Sequence, residues 1–246
     1  MNAHLSAQPS LLALDTSTEI VQMALCHKGM VWTHQSLGGA KTSSTLLPAI
    51  QQLLQHAAIE LHQLDAIAFG CGPGAFTGLR TACAVAQGLA LGTDKPVLPI
   101  DTLSIVAQSA RMHGARALIW VASDARMNEI YAGCYEFDEQ GRCHVRIKPG
   151  LYDAPSLARR MADHRQVEFS LTGSALTLHP ELFSHLGDLR KQTQPAADAL
   201  IRLAQQSWLQ QEAVDVAHAL PLYVRDKVAQ TTMERESIKI ASAPSA

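Results

Sequence analysis

Four closely spaced glycines in the stretch DAIAFGCGPGAFTGLR, residues 65–80, are the first candidate for chemistry. A glycine-rich turn between a strand and a helix can present its backbone amides to a phosphate group. A P-loop, however, needs four residues between its glycines and then lysine followed by serine or threonine. Gly78 is followed instead by Leu79 and Arg80, so the sequence lacks a P-loop.

A dinucleotide-binding turn matches the glycine spacing better. Gly70, Gly72 and Ala75 satisfy the pattern G-x-G-x-x-G/A after an apolar run, and Asp101 ends the next run, where an acid that binds ribose would lie. Pro73 interrupts the glycines, and the further strand–helix repeats of such a domain do not follow. An NAD-binding enzyme stays an alternative. We favour a tight structural turn, formed by Gly70, Gly72, Pro73, Gly74 and Gly78.

The stretch DTSTE, residues 15–19, follows the apolar run LLAL and is a candidate nucleotide or phosphate site. Asp15 offers a carboxylate to hydrated magnesium, while Thr16 and Ser17 offer amides and hydroxyls to phosphate. Asp and Thr also form Asx-type turns with no ligand, and that is the alternative.

A second aspartate, Asp124 in DARMNE, lies in a similar context. Setting LALDTSTEIVQMAL beside WVASDARMNEIYAGCY aligns Asp15 with Asp124, and Glu19-Ile20 with Glu129-Ile130 when one residue is inserted. The match raises the hypothesis of duplicated halves, with chance as the alternative. Ala125 and Arg126 replace the small residues that would let backbone approach a phosphate, so the second copy fits a nucleotide less well.

Other catalytic centres find no support in the sequence. No two of the 11 histidines are four residues apart, and the nucleophile motif G-x-S-x-G does not occur. No two of the five cysteines have metal-ligand or redox-motif spacing, so we expect buried thiols in a reducing cytosol. We predict no catalytic residue and no metal site.

Composition narrows the class of protein. The 246 residues are 47% apolar, which is typical of a compact globular chain, and 20 basic residues are balanced by 22 acidic ones. Without a basic patch the chain is not expected to bind nucleic acid alone. No secretory leader and no bilayer-length apolar run are found, so we expect a cytoplasmic protein without membrane contact.

The pattern of apolar residues predicts a mixed α/β fold. A three-strand meander over residues 11–37 precedes a helix at 42–57, and a strand–helix–strand unit with parallel pairing covers residues 65–101. The second half repeats a strand, an aspartate, a turn and a strand over residues 117–141, and an amphipathic helix follows near residue 200. The helix at 77–91 is small on nearly every side, which favours burial of more than one face, the second against a partner helix.

Several segments together resemble the TsaB (YeaZ) family. They are LLALDTST, GCGPGAFTGLRTACAVAQGLALG, PIDTL, DARMNEIYAG and PLYVRD, and the most specific is G-x-G-P-G-x-F-T-G-[LV]-R at Gly70 to Arg80. The resemblance implies a two-lobed actin/Hsp70/sugar-kinase-like (ASKHA) fold with duplicated mixed sheets flanked by helices. The implied boundaries are a flexible N-terminus (1–10), a first lobe (11–105), a second lobe (106–227) and a flexible tail (228–246).

The resemblance also implies a role in tRNA modification. Proteins of this family are non-catalytic subunits that, with TsaD and the ATPase TsaE, support transfer of a threonylcarbamoyl group made by TsaC. The acceptor is N6 of adenosine 37 in tRNAs that read codons starting with A. The implied chain needs no cofactor itself, whereas ATP or ADP and Mg²⁺ or another metal belong to its partners, and tRNA is bound only within the complex. An active ATP-dependent phosphotransferase of the same fold is one alternative, and a metallopeptidase is another.

The resemblance places the partner interface on the first lobe. The helices at 42–57 and 77–91 are expected to pack on TsaD, or on a second copy in a homodimer. Several family members have a histidine near Thr42, which this chain lacks. Because the helix at 77–91 is expected to lie in the interface, Ala86→Arg or Ala82→Arg should spare the fold and abolish complex formation. The predicted interface residues are Leu46, Ile50, Leu53, Phe76, Arg80, Ala82, Ala86 and Leu89.

Overall fold

The computed structural model describes residues 8–39, 42–163, 167–183, 188–191 and 193–225. Two five-stranded mixed sheets account for the strands, and helices cover both faces of each sheet. In chain order the elements are β1 (Leu11–Asp15), β2 (Ile20–His27), β3 (Met30–Leu37), α1 (Thr42–His56), β4 (Ala66–Gly72), α2 (Phe76–Thr93), β5 (Val97–Asp101), α3 (Thr102–Met112), β6 (Leu118–Asp124), β7 (Ile130–Phe137), β8 (Cys143–Tyr152), α4 (Ala154–Ala162), β9 (Ser170–Gly173), α5 (Ala175–Leu178), α6 (Pro180–Phe183), β10 (Asp188–Lys191) and α7 (Ala197–Leu209).

The two sheets have the same topology. The first has the strand order β3-β2-β1-β4-β5, and the second has the order β8-β7-β6-β9-β10. In both, the first three strands form an antiparallel meander and the last two add in parallel. The hypothesis of duplicated halves is therefore confirmed, and so is the predicted parallel unit around the glycine loop.

The strand ladders correct one detail of the predicted alignment. Asp15 pairs with Gln22, and Asp124 pairs with Ile130. When the two aspartates are superposed, Ile130 therefore corresponds to Gln22 and not to Ile20. The turn of the second hairpin is the shorter one.

Five layers stack in the order helix, sheet, helix, sheet, helix. Helices α1 and α2 cover the outer face of the first sheet, which carries Leu12 and Leu14. Helices α4, α5 and α6 cover the outer face of the second sheet. Between the sheets lie α3 and α7, whose apolar side chains form one core with the inner faces of both sheets. The two-lobed fold class expected from the resemblance is confirmed by this architecture.

The middle helices are exchanged between the lobes. Helix α3 follows a strand of the first sheet but packs mainly on β6 to β9, whereas α7 follows the second sheet and packs on β1 to β5. The predicted boundary between residues 105 and 106 falls inside α3 and is therefore misplaced. Helix α7 and the chain up to residue 223, which the prediction assigned to the second lobe, rest on the first sheet and α2.

The predicted ends of the chain are only partly described. Residues 1–7 and the tail 228–246 lie outside the described residues. Pro9 and Ser10, which belong to the predicted flexible N-terminus, are buried, and the amide of Ser10 donates to the Asp65 carboxylate at 2.7 Å. Among the described residues, no helix is long and apolar enough to cross a membrane.

Candidate functional site

A cleft of about 1040 Å³ separates the two lobes. The turn after β1 and the glycine loop form one wall, and the turn after β6 forms the other. The structure therefore brings three of the predicted nucleotide-site residues, Thr16, Ser17 and Asp124, to one cavity. Asp15 lies beneath the surface of the cleft with only 1% of its area exposed.

The glycine loop closes directly on the turn after β1. The amide of Ala75 donates to the carbonyl oxygen of Ser17 at 2.8 Å, and the hydroxyl of Thr16 donates to the carbonyl oxygen of Gly78 at 2.6 Å. A Cβ atom at Gly78 would lie 1.9 Å from the oxygen of Thr16, and one at Gly74 would lie 2.8 Å from the oxygen of Ser17. Glycine at these two positions permits the close backbone contact, which is the structural role that the sequence predicted for the loop.

Asp15 forms the Asx-type turn that was the alternative to ligand binding. Its Oδ1 accepts a hydrogen bond from the amide of Ser17 at 2.8 Å. The same oxygen lies so close to Gly70 that a side chain at position 70 would clash with it. Burial raises the pKa of the Asp15 carboxyl. With no oxygen open to the cleft, Asp15 is poorly placed to bind a hydrated magnesium ion.

Asp124 interacts with a cation from its own turn. The guanidinium of Arg126 lies 3.4 Å from Oδ2 of Asp124, and the amide of Arg126 donates to Oδ1 at 2.8 Å. An arginine therefore neutralises the carboxylate at the position where a kinase-type site would hold a metal ion. The same guanidinium reaches Glu19 of the first lobe at 3.2 Å across the cleft.

Asp101 cannot serve as the ribose acid of a dinucleotide site. Its Oδ1 accepts from the amide of Leu103 and so caps α3, while its Oδ2 accepts a very short hydrogen bond from the hydroxyl of Tyr135 in the second sheet. Burial raises the pKa of Asp101 to about 6. Gly72, the second glycine of the fingerprint, faces the chain at Leu222, and a Cβ atom at Gly72 would lie 2.8 Å from the carbonyl oxygen of Leu222. The NAD-binding alternative therefore fails.

The structure corrects the residues predicted for the partner interface. Five of the eight side chains are at most 3% exposed and belong to the core between α1, α2 and the first sheet: Leu46, Ile50, Leu53, Ala82 and Ala86. Because α2 has small residues on nearly every side, the sequence does not indicate which face of this helix is buried. The buried face of α2 was therefore mistaken for a contact face. Phe76 and Leu89 are half-buried and Arg80 is exposed.

The exposed faces of the two helices carry other residues. They are Leu47, Gln51 and Gln55 on α1, and Thr77, Arg80, Ala84, Gly88 and Leu91 on α2. An arginine at Ala82 or Ala86 would have to be accommodated in the core, so the expectation that Ala82→Arg or Ala86→Arg spares the fold is wrong.

The described residues contain no group of three His, Cys, Asp or Glu side chains that could hold a metal ion. All five cysteines are free and buried, as predicted. Burial raises the pKa of Cys71 beside the glycines to about 12, so its thiol stays protonated and is a poor nucleophile.

Sequence analysis missed the role of the segment that follows α7. The amide of Leu222 donates to the carbonyl oxygen of Cys71 at 2.7 Å, and Tyr223 packs on Phe76 with ring centroids 5.4 Å apart. The side chain of Arg225 then reaches the turn after β6 in the second lobe. The motif PLYVRD carried the family resemblance, but nothing in its composition indicates these contacts.

Comparisons with known proteins agree with this geometry. A family model described as "TsaD: tRNA N6-adenosine threonylcarbamoyltransferase" matches residues 33–233. A tRNA threonylcarbamoyladenosine biosynthesis protein TsaB from Escherichia coli is 32% identical and covers 89% of this chain and 96% of the relative. The TsaB of Haemophilus influenzae is 33% identical over 89% of this chain and 94% of its own.

Solved structures agree as well. A Pseudomonas aeruginosa crystal structure described as similar to the peptidase YeaZ matches with a TM-score of 0.77 and 36% identity, covering 88% of this chain and all of that one. A second structure, YeaZ from Pseudomonas aeruginosa, matches with a TM-score of 0.73 and 34% identity over 87% of this chain and 99% of its own. This chain therefore belongs to the TsaB (YeaZ) family of tRNA threonylcarbamoyladenosine biosynthesis proteins, within the broader TsaD family.

Proposed function

We propose that this chain is a non-catalytic subunit of the cytoplasmic machinery that forms N6-threonylcarbamoyladenosine at position 37 of tRNA. Its partners are TsaD, which carries out the transfer, and the ATPase TsaE. Nucleotide and metal belong to those partners, and tRNA is contacted within the complex. The relatives named TsaB, which match this chain over nearly its whole length, support the pathway.

The closed turn after β1 is the observation that supports a non-catalytic role. In an active kinase-like protein this turn must present free amides to phosphate and a carboxylate to magnesium. Here the hydroxyl of Thr16 donates to the glycine loop, the carbonyl oxygen of Ser17 accepts from that loop, and the amide of Ser17 donates to Asp15. A phosphate would have to displace this packing, which favours a support role over phosphotransfer.

The exposed faces of α1 and α2 are the contact surface for TsaD in this proposal. Residues 42–93 contain few charged side chains, and Arg80 is the single charged one within α2. A helical surface with a single charged side chain near one end, and with Ala84, Gly88 and the 73% exposed Leu91 beyond it, allows another helix to approach closely. A homodimer through the same surface is the alternative when TsaD is absent.

Reconstitution of the modification tests the proposal. Purified TsaC, TsaD and TsaE are combined with tRNA, threonine, bicarbonate and ATP, with and without this chain, and the modified nucleoside is measured by mass spectrometry. We expect modification only when the chain is present. Equal yields in its absence would contradict a required support role, and modification by this chain without TsaD would contradict the non-catalytic assignment.

A further inference from the structure

The C-terminal strap, defined here as residues 219–225, is fixed to the first lobe from Ala219 to Tyr223. The carbonyl oxygen of the buried Ala219 accepts hydrogen bonds from Gln87 at 2.9 Å and from the thiol of Cys83 at 3.3 Å. Further along, Leu222 bonds to Cys71, and the Arg80 side chain donates to the hydroxyl of Tyr223 at 3.1 Å. The strap therefore follows one side of α2 up to the glycine loop.

The last described residue of the strap crosses to the second lobe. Only 12% of the Arg225 side chain is exposed. Its Nη2 donates to the carbonyl oxygen of Ala125 at 2.9 Å and to that of Arg126 at 3.3 Å, and it forms a very short ion pair with Glu129. One nitrogen of the guanidinium, Nη2, reaches all three acceptors, in a planar geometry that a lysine ammonium does not reproduce.

Arg225 binds a turn with an unusual backbone. Arg126, Met127 and Asn128 have φ values of 62°, 54° and 59°, so three consecutive residues with side chains adopt the left-handed conformation. Such residues are normally isolated, and runs of them persist only where the surroundings hold them. The hydrogen bonds from Arg225 to the carbonyl oxygens of Ala125 and Arg126 add to the hydrogen bonds within the turn that hold this conformation.

The turn held in this way projects over the cleft. Ala125, Arg126 and Met127 line one wall, and Arg126 reaches Glu19 on the other. The Arg126 and Glu19 side chains are 76% and 89% exposed, so their ion pair is weak. The buried contact of Arg225 therefore ties this turn to the first lobe more firmly than the Arg126–Glu19 ion pair does.

We propose that the C-terminal strap sets the width of the mouth of the cleft, with Arg225 as the positioning residue. Because the strap rests on Phe76 and Arg80 at the start of α2, movement of that helix is transmitted to the turn 125–129 of the opposite lobe. A partner that binds α2 would then change access to the cleft without entering it. The link itself does not depend on which protein that partner is.

Distance measurement between spin labels tests the proposal on the full chain. Labels are placed at Leu37→Cys, which is 84% exposed in the first lobe, and at Met127→Cys, 44% exposed on the turn. The five native cysteines are buried and are expected to react poorly. Arg225→Ala should lengthen the mean distance by more than the width of the unsubstituted peak, and Arg225→Lys should give an intermediate shift. Arg202→Ala, an exposed arginine on α7, is the matched control.

Hydrogen exchange gives a second measurement that needs no label. The amide of Ala125 donates to Glu129, and the amide of Glu129 donates to Arg126. Both should exchange at least tenfold faster in Arg225→Ala than in Arg202→Ala. If Arg225→Ala does not fold, Arg225→Lys decides by the same two measurements. Unchanged distances and unchanged exchange in a folded Arg225 variant would overturn the proposal.

Discussion

The substitutions Gly78→Ala and Gly88→Ala add the same methyl group to one helix and should have opposite effects on stability. Both glycines belong to α2. At Gly78 the new Cβ would lie 1.9 Å from the carbonyl oxygen of Thr16 and 2.8 Å from its carbon. At Gly88 it would meet no atom of the described residues within 4 Å.

The magnitudes follow from these distances. Backbone cannot turn aside as a flexible side chain does, so the turn after β1 must move by about 1 Å or more to relieve the contact at Gly78, and overpacking of this kind costs about 1–3 kcal/mol. At Gly88 the replacement of glycine by alanine in a helix contributes up to about 1 kcal/mol of stability. The free energies of unfolding of the two variants should therefore differ by about 1–4 kcal/mol.

Urea unfolding followed by circular dichroism measures this difference directly. For a chain of this size each kcal/mol moves Tm by about 2–4 °C, so thermal unfolding should give melting temperatures between about 2 and 16 °C apart. If Gly78→Ala is as stable as the unsubstituted protein, the close contact of the glycine loop with the turn after β1 is refuted. If Gly88→Ala is strongly destabilised, the face of α2 that carries Gly88 is buried and not exposed.

Three further predictions concern the interface, the cleft and the core between the lobes. Ala84→Arg should keep the fold and abolish binding to TsaD in size-exclusion chromatography, whereas Ala117→Arg, exposed near the start of β6, should leave binding intact; equal binding by both would remove α2 from the interface. Calorimetry with ATP and Mg²⁺ should give no heat of binding, and tight binding would restore the phosphotransferase alternative. Asp101→Asn should remove part of the pH dependence of stability between pH 4 and 7. The pKa of Asp101 is raised from 3.8 to about 6 on folding, so the folded state binds more protons; the stability that this carboxyl contributes is complete below about pH 4 and is lost as the pH rises through 6. Urea unfolding of both proteins across that range measures it, and parallel curves would contradict the prediction.

The sequence predicted those elements whose apolar pattern is local. The meander of β1 to β3 and the parallel pair β4 and β5 around the glycine loop were recovered because alternation and turn residues mark them. Strand β10, Asp188–Lys191, was missed since DLRK has no apolar run, and it pairs only with β9 at the edge of the second sheet. The exchange of α3 and α7 between the lobes could not be predicted from local sequence, because an amphipathic helix does not specify which sheet it covers.

Helix α2 shows why the interface residues could not be assigned from sequence. Its phase is normally read from large apolar side chains on one face. Ala82, Ala84, Ala86, Gly88 and Ala90 are all small, yet Ala82, Ala86 and Ala90 are fully buried while Ala84 and Gly88 face outward. Only the contacts with β1, β4 and β5 fix which alanines lie inside.

The glycines that suggested a phosphate site have a counterpart where no glycine-rich motif exists. Gly173 ends β9, the strand that corresponds to β4 in the duplicated fold, and a Cβ there would lie 2.1 Å from the carbonyl oxygen of Ala122 near the end of β6. Gly70 in β4 lies against the side chain of Asp15 at the end of β1, with a would-be Cβ 2.4 Å from Oδ1. Both halves therefore carry a glycine where the fourth strand runs beside the end of the first, against backbone at Gly173 and against a side chain at Gly70. Because the requirement recurs in the half without the motif, we attribute it to the close approach of two strands in this fold and not to a bound nucleotide.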